Sequence, residues 1–362
     1  MAMDVSRYQG CLLGLAVGDA MGYTVDGKTL AQIQEAYGPN GLLGYDLANG
    51  SAEVSSYTQL AAYCANGLLI GITRGKPAHY TRFFSVALTE WARSQMYYRD
   101  PEHTWCWVAK LPQLRSRHCR DSRMLDVLRS KILGAPESNI RNNLSPGALT
   151  EAVAIGMSFQ PQRMDPSFLG ELSARGIGTT HESPEAFLPG VVLAYAIAGI
   201  LQEPELPLHL HFSHAVSAMQ AQFREKYPQA DTLAQLLTQT IALSSDPDRS
   251  PEETMESLHC SNSDRCLAGA MYACLVCEED FDRCMILAVN HSGRSAAVGA
   301  VAGALLGAHL GCDALPEFYL ESLSIRSVLM ELAADMTMGT PTMGLFDDDW
   351  DHKYTQGLPL EK

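Results

Sequence analysis

The sequence predicts an all-α fold, and three observations carry that expectation. Apolar residues recur mainly at intervals of three and four, the spacing that gathers them on one face of a helix, while sustained two-residue alternation is nearly absent. Pro and Gly clusters ("YGPNG", "QPQRMDPS", "QEPELP" and "SSDPDRSPEE") interrupt the periodic stretches without a long low-complexity linker. Two stretches carry glycine at every fourth position, which in a helix clears one slowly drifting face of side chains.

The first helix is marked by Val5, Tyr8, Leu12 and Leu15, and it bears the first stripe, Gly10, Gly14, Gly18 and Gly22. Glycine costs about 1 kcal/mol against alanine in a helix interior, so a stripe of four implies a backbone packed against it. Leu60, Tyr63 and Leu68 mark a second helix, and Phe83, Val86, Leu88 and Trp91 a third. A further helix is expected to begin near Ser183 and Pro184, because Ser before Pro suits the N-cap and first helical positions. Phe281, Cys284 and Leu287 mark a late helix, followed by the second stripe, Gly299, Gly303, Gly307 and Gly311. A glycine-paired membrane dimer is the rival explanation of the stripes, but neither segment is long and apolar enough to span a bilayer.

The chain of 362 residues is 46% hydrophobic, enough for a large buried core, and one domain over residues 1–362 fits better than two. A formal net charge of -15 argues against a nucleic-acid surface, since phosphate binding needs concentrated Lys and Arg. The apolar runs Phe187 to Leu201 and Ala296 to Gly311 contain Pro or several Gly and fall short of a span, and the N-terminus has no secretory pattern. The expectation is a cytoplasmic protein with no membrane partner. The ten cysteines, several in apolar helical contexts such as "YACLVCEE", read as thiols, and Cys274 with Cys277 is a lone CxxC without a second pair for zinc.

Two charged clusters read as surface. "HLHFSH", with His209, His211 and His214, is expected to be a solvated helix start, and "FDDDWDHKY" lacks the spacing and turn glycine of a calcium loop. No phosphate loop of the GxxxxGK type and no GxSxG elbow occurs.

Four segments carry a resemblance. "GCLLGLAVGDAMGYTVDG", "NLSPGALTEAVAIGM", "GTTHESPEAFLPG" and "AVNHSGRSAAVGAVAGALLGA" are similar, in this order, to the opening helix, the central ligand loop, the Thr-His segment and the late metal-binding segment of the ADP-ribosylglycohydrolase family. The resemblance implies that family's compact orthogonal multi-helix fold. It also implies a pair of magnesium ions held by a Thr/Ser-Asp-Asp-Thr motif early and an Asp-x-Asp-Thr/Ser motif late, since hard cations want carboxylate oxygens.

The chain departs from that pattern where the metals would sit. The early positions read Ser55, Ser56, Tyr57 and Thr58, and the late ones Arg294, Ser295, Ala296 and Ala297. On this alignment the aspartates are absent, Arg294 brings a fixed positive charge, and no magnesium or other cofactor is expected. Asp26 corresponds to the family's acid after the opening helix and is the one candidate catalytic carboxylate; capping or solvating the turn at Gly27 is its plainer role. The central loop has Thr150 and Glu151 where the family has Met-Arg, so Glu151, Asp19 and Asp26 are all candidate partners for Arg294.

Ser145, Gly147 and His181 match the family's ligand positions, and Ser292, Gly293 and Arg294 open the late helix, where free N–H groups and a guanidinium suit phosphate. The resemblance therefore implies binding of ADP-ribose or a related nucleotide without metal-dependent catalysis. Two alternatives stay open: an active ADP-ribosyl hydrolase working through Asp26, and a structural or interaction protein whose cleft is filled by its own side chains. Whether the chain is an enzyme is left open with them.

Overall fold

The two glycine stripes face each other. In the computed structural model, helices α1 (Val5–Tyr23) and α14 (Ser295–Leu310) run antiparallel, so that a Cβ on Gly10, Gly14, Gly18 or Gly22 would strike the carbonyl group of Gly307, Gly303, Gly299 or Ser295 respectively. The reverse holds for Gly299, Gly303 and Gly307 against Gly18, Gly14 and Gly10. Both backbones touch where side chains would otherwise hold them apart, which is the contact the stripes predict.

The structure describes residues 3–47, 50–75, 77–97, 103–119, 122–134, 143–338 and 348–355. It is 71% helical, with 17 α-helices and no strand among those residues. Between the glycine-striped helices lie, in chain order, α2 (Leu30–Tyr37), α3 (Ser56–Thr73), α4 (Pro77–Met96), α5 (Ser122–Leu133), α6 (Gly147–Met157), α7 (Pro166–Ile177), α8 (Pro184–Gln202), α9 (Leu208–Phe223), α10 (Gln229–Leu243), α11 (Pro251–Ser257), α12 (Ser263–Val276) and α13 (Phe281–Val289). Then follow α15 (Glu317–Leu320), α16 (Arg326–Met338) and α17 (Asp348–Trp350).

The core surrounds the α1–α14 pair. Every residue of α3 and α6 is buried, and α8 packs against α6, α7, α9 and α12. Helices apolar on all sides belong in such interiors. Helix α8 corrects one expectation: its 19 residues are long and apolar enough to cross a membrane by length and composition. It is mostly buried within the protein, and its apolarity serves the core.

The capping chemistry agrees with the sequence. Asp4 Oδ1 accepts from Ser6 N at 3.0 Å to open α1, and Thr29 with Gln32 forms a reciprocal capping box at α2. Ser183 is the N-cap residue of α8 and Pro184 its first position, as expected, although the Ser183 hydroxyl donates to Glu185 rather than accepting from the helix. No disulfide joins any of the cysteines among the described residues.

Two surface expectations are overturned in part. His209 and His214 are exposed, but His211 is buried against Gly199, because the middle histidine of "HLHFSH" falls on the inward face of α9. In "FDDDWDHKY", the described residues are anchored rather than loose. Trp350 and Tyr354 are buried, and Lys353 Nζ lies 2.5 Å from Glu331 and Asp349 and 3.5 Å from Asp335.

Candidate functional site

At the end of the α1–α14 contact, the chain leaving α1 meets the chain entering α14. Gly27, at φ +79°, turns the outgoing loop, and its N–H donates to Gly293 O at 2.8 Å. Gly293 takes φ +146°, a conformation L side chains rarely adopt, and a Cβ there would strike Cys260 O. These two glycines bring Asp26 under the first turn of α14.

Arg294 stands at the N-cap of α14 with no side-chain cap of its own. Asp26 supplies one: its Oδ1 accepts from Ala296 N at 3.1 Å, and its Oδ2 lies 3.6 Å from Arg294 Nε. A carboxylate at a helix N-terminus satisfies an orphan donor and the positive end of the dipole together. Arg294 Nη2 donates to the Tyr57 hydroxyl at 3.0 Å, and its backbone N–H donates to Cys260 O at 2.8 Å. Burial works against the guanidinium charge, but Tyr57 and Asp26 outweigh it, so Arg294 holds its proton more tightly than usual.

The sequence offers three acids to Arg294, and the structure records Asp26 as its ion-pair partner. Asp19 is engaged elsewhere. It is fully buried; its Oδ1 accepts from Ser55 Oγ at 2.6 Å, and its Oδ2 accepts from Ser55 N, Thr58 N and Thr58 Oγ1 at 2.9, 3.0 and 2.6 Å. This carboxylate ties α1 to the first turn of α3. Burial pushes its pKa up to about 6, against the lowering effect of those four bonds.

Glu151 faces a third group. Thr180 Oγ1 donates to its Oε1 at 2.8 Å and lies 2.9 Å from His181 Nδ1, while His181 Nε2 lies 2.9 Å from Ser145 Oγ. Asn143 Oδ1 accepts from the Ser145 hydroxyl at 2.7 Å, and its amide donates to Thr180 O at 3.2 Å. Glu151, Thr180 and His181 are wholly buried, whereas Ser145 is partly exposed at the loop that leads into α6.

Residues 260–263 hold both groups. Cys260 O takes the Arg294 N–H, while Ser263 donates from its backbone to Leu144 O at 3.1 Å and from its hydroxyl to Ser145 O at 2.7 Å. Nothing in the sequence marks this link, because it acts largely through backbone groups. The predicted residues thus divide. Asp26, Tyr57, Arg294 and Ala296 meet directly, and Ser145 and His181 meet each other beside Gly147.

The remaining predicted residues carry scaffold contacts. Ser292 N donates to Glu256 at 2.7 Å and its hydroxyl accepts from Leu30 N at 2.9 Å, so it joins α11 to α2. Ser56 N donates to His118 O at 3.1 Å, Thr58 holds Asp19, and Ala297 is buried in the first turn of α14. Thr180 and Asn143 were not expected at the site. The Thr-His pair was legible, but the partner that makes Thr180 a link, Glu151, lies in another helix.

The family model for ADP-ribosylglycohydrolase matches residues 2–345. An "uncharacterized protein" of Archaeoglobus fulgidus is 25% identical over 353 residues, covering 91% of this chain and 95% of that protein. A solved structure described as an "ADP-ribosylglycohydrolase-related protein complex" has the same fold at a TM-score of 0.59 and 23% identity, over 92% of this chain and 98% of that one.

Proposed function

Because the chain belongs to the ADP-ribosylglycohydrolase family, we propose that it is a member that binds ADP-ribose or a related nucleotide without a magnesium pair and leaves the glycosidic bond uncut. The observation that carries this reading is the Asp26–Arg294–Tyr57 unit. A guanidinium lies between a carboxylate and a phenol, at positions that the sequence resemblance assigns to the family's metal site.

The residues there do not suit magnesium. Ser56, Tyr57 and Ala296 bring no carboxylate, Asp26 is committed to a helix N-terminus, and the fixed charge of Arg294 repels a cation. Without a metal, no group here lowers the pKa of a water to make a nucleophile for glycosidic cleavage. An anion is better matched, since the partly exposed guanidinium at the start of α14 presents N–H donors suited to phosphate. Ser145 and the start of α6 add a hydroxyl and backbone amides for the rest of a pyrophosphate.

Calorimetry with ADP-ribose tests this. The expected result is binding that is unchanged by magnesium or a chelator, no release of ADP-ribose from modified arginine or serine, and at least about tenfold weaker binding for Arg294→Ala, the worth of a hydrogen bond to a charged group. Magnesium-dependent turnover lost in Asp26→Asn would overturn it in favour of an atypical hydrolase. A second reading is favoured by the engagement of Arg294 with Asp26 and Tyr57: a cleft closed by its own side chains in a structural protein. No heat with ADP-ribose would select it.

Replacing Ser56, Tyr57, Arg294 and Ala296 together with Asp should raise magnesium affinity in a titration, and a quadruple variant that binds none would remove the basis for assigning these positions.

A further inference from the structure

We propose that the cleft between α2, α11 and α13 binds a free aliphatic α-amino acid of about the size of leucine, with its side chain on an apolar floor and its carboxylate and ammonium at Arg283 and Glu252. The proposal stands apart from the nucleotide reading, since neither residue belongs to the Asp26–Arg294–Tyr57 unit or to the Ser145–His181 group.

One face of α13 builds the cleft. Arg283, Ile286, Leu287 and Asn290 fall at i, i+3, i+4 and i+7, so they line up along about 10 Å of helix. Leu30 and Gln34, at i and i+4 on α2, form a second wall, and Pro251 and Glu252 at the start of α11 form a third. The cavity measures about 330 Å³, at the lower end of small-molecule sites, so it suits a ligand of few heavy atoms.

The far end of the cleft is fixed before any ligand arrives. Asn290 Oδ1 accepts from Leu42 N at 2.8 Å, and its amide donates to Leu42 O and Ile286 O, both at 2.8 Å. Gly41 lies against this side chain at φ +70°, and a Cβ there would strike Asn290 Oδ1. A preformed cavity spares the ligand the cost of ordering a loop. Leu43 stands at its mouth with 56% of its surface exposed, apolar area that a bound side chain would cover together with Leu30 and Ile286.

The other end is charged. Arg283 and Glu252 are both exposed, and among the described residues neither forms an ion pair. The Ser250 hydroxyl donates to Glu252 Oε2 at 2.9 Å and orients that carboxylate. Burial and the neighbouring Cys284 push the Cys277 thiol up to about 12; Arg283 and Glu252 act on the same thiol with opposite signs, so the two charges share one end of the cleft. An aliphatic acid would meet Glu252 as well as Arg283, and an aliphatic amine would meet Arg283 as well as Glu252. A ligand with both charges beside an aliphatic chain answers both residues. A free α-amino acid carries the two on one carbon, whereas the N-terminal residue of a peptide keeps only the ammonium.

Calorimetry on the full chain tests this with L-leucine, glycine, isocaproate, which lacks the amine, and isoamylamine, which lacks the carboxylate. Leucine is expected to bind with a Kd of about 1 mM or below. Each of the other three should bind at least about fivefold more weakly, between the worth of an exposed ion pair and that of a hydrogen bond to a charged group. Arg283→Gln and Glu252→Gln should each weaken leucine by the same factor. Arg283→Gln should also cease to distinguish leucine from isoamylamine, and Glu252→Gln leucine from isocaproate. Both side chains are exposed, so the variants should fold, and thermal melts check it. No binding of leucine at about 10 mM to folded wild-type protein, glycine binding as tightly as leucine, or leucine affinity unchanged in either variant overturns the proposal. ADP-ribose calorimetry on the same samples separates its failure from that of the nucleotide reading.

Discussion

Helices α1 and α14 are one contact along their length and another at the loops where they end. Along their length, glycine meets glycine and every added atom collides with backbone. Where the loops meet, Asp26, Arg294 and Tyr57 join through side chains. The first region constrains which residues are tolerated by the space available, whatever the protein does. The second is constrained at Gly27 and Gly293 by backbone conformation, but Asp26, Arg294 and Tyr57 meet through charge and hydrogen bonding, terms that other side chains can supply. A scaffold of the family with a guanidinium at the start of α14 is consistent with that division.

The strongest break in the comparison is Gly18→Ala. Alanine is the better helix former by about 1 kcal/mol, so propensity alone predicts stabilisation. Its Cβ would instead overlap Gly299 O, backbone that yields only if the helices separate. Overpacking of this kind typically costs about 1–3 kcal/mol; against unyielding backbone the loss in urea denaturation should lie at the upper end of that range. A variant as stable as wild type would mean that the helices are not in backbone contact.

This contact was legible in the sequence because backbone approach leaves a residue-type signature at a fixed interval. The site was legible only in part. Arg294 stood out as a cation at a helix start, but its partner could not be chosen among Asp19, Asp26 and Glu151. The choice is made by how two loops 270 residues apart are brought together. Ser145 and His181 were found as single matching residues; the bond between them spans two helices' approaches and has no spacing to read. His211 was misplaced because the three histidines of its segment fall on different faces of α9, one of them inward.

Asp19 gives the next effect, at the boundary between the two regions. Its pKa is raised by burial to about 6, while an unfolded aspartate titrates near its ordinary value, so the folded state binds the extra proton between about pH 4 and 6. The stability this group contributes is therefore fully present below that window and falls as pH rises through it, by about 2–3 kcal/mol. Asp19→Asn keeps an oxygen for the α3 amides and cannot titrate. The stability difference between wild type and this variant, followed by denaturation between about pH 4 and 7, should move in the variant's favour as pH rises to about 6 and then level off. A difference that does not change with pH would place the carboxylate's pKa near its ordinary value.

The smallest effect sharpens the comparison, because it repeats the first substitution a few residues further on. Gly27→Ala also adds one methyl group to a glycine of the same segment, but nothing lies within 4 Å of the new Cβ. Its cost comes only from φ +79°, a left-handed conformation worth about 1 kcal/mol against an L side chain. The bond from its N–H to Gly293 O survives, so Asp26 should stay in place and ADP-ribose affinity should hold. Denaturation and calorimetry on Gly18→Ala and Gly27→Ala together then measure space against conformation. A Gly27→Ala loss as large as that at Gly18 would mean that the loop is as tightly fixed as the helices, and the site would then be part of the scaffold rather than an exchangeable end to it.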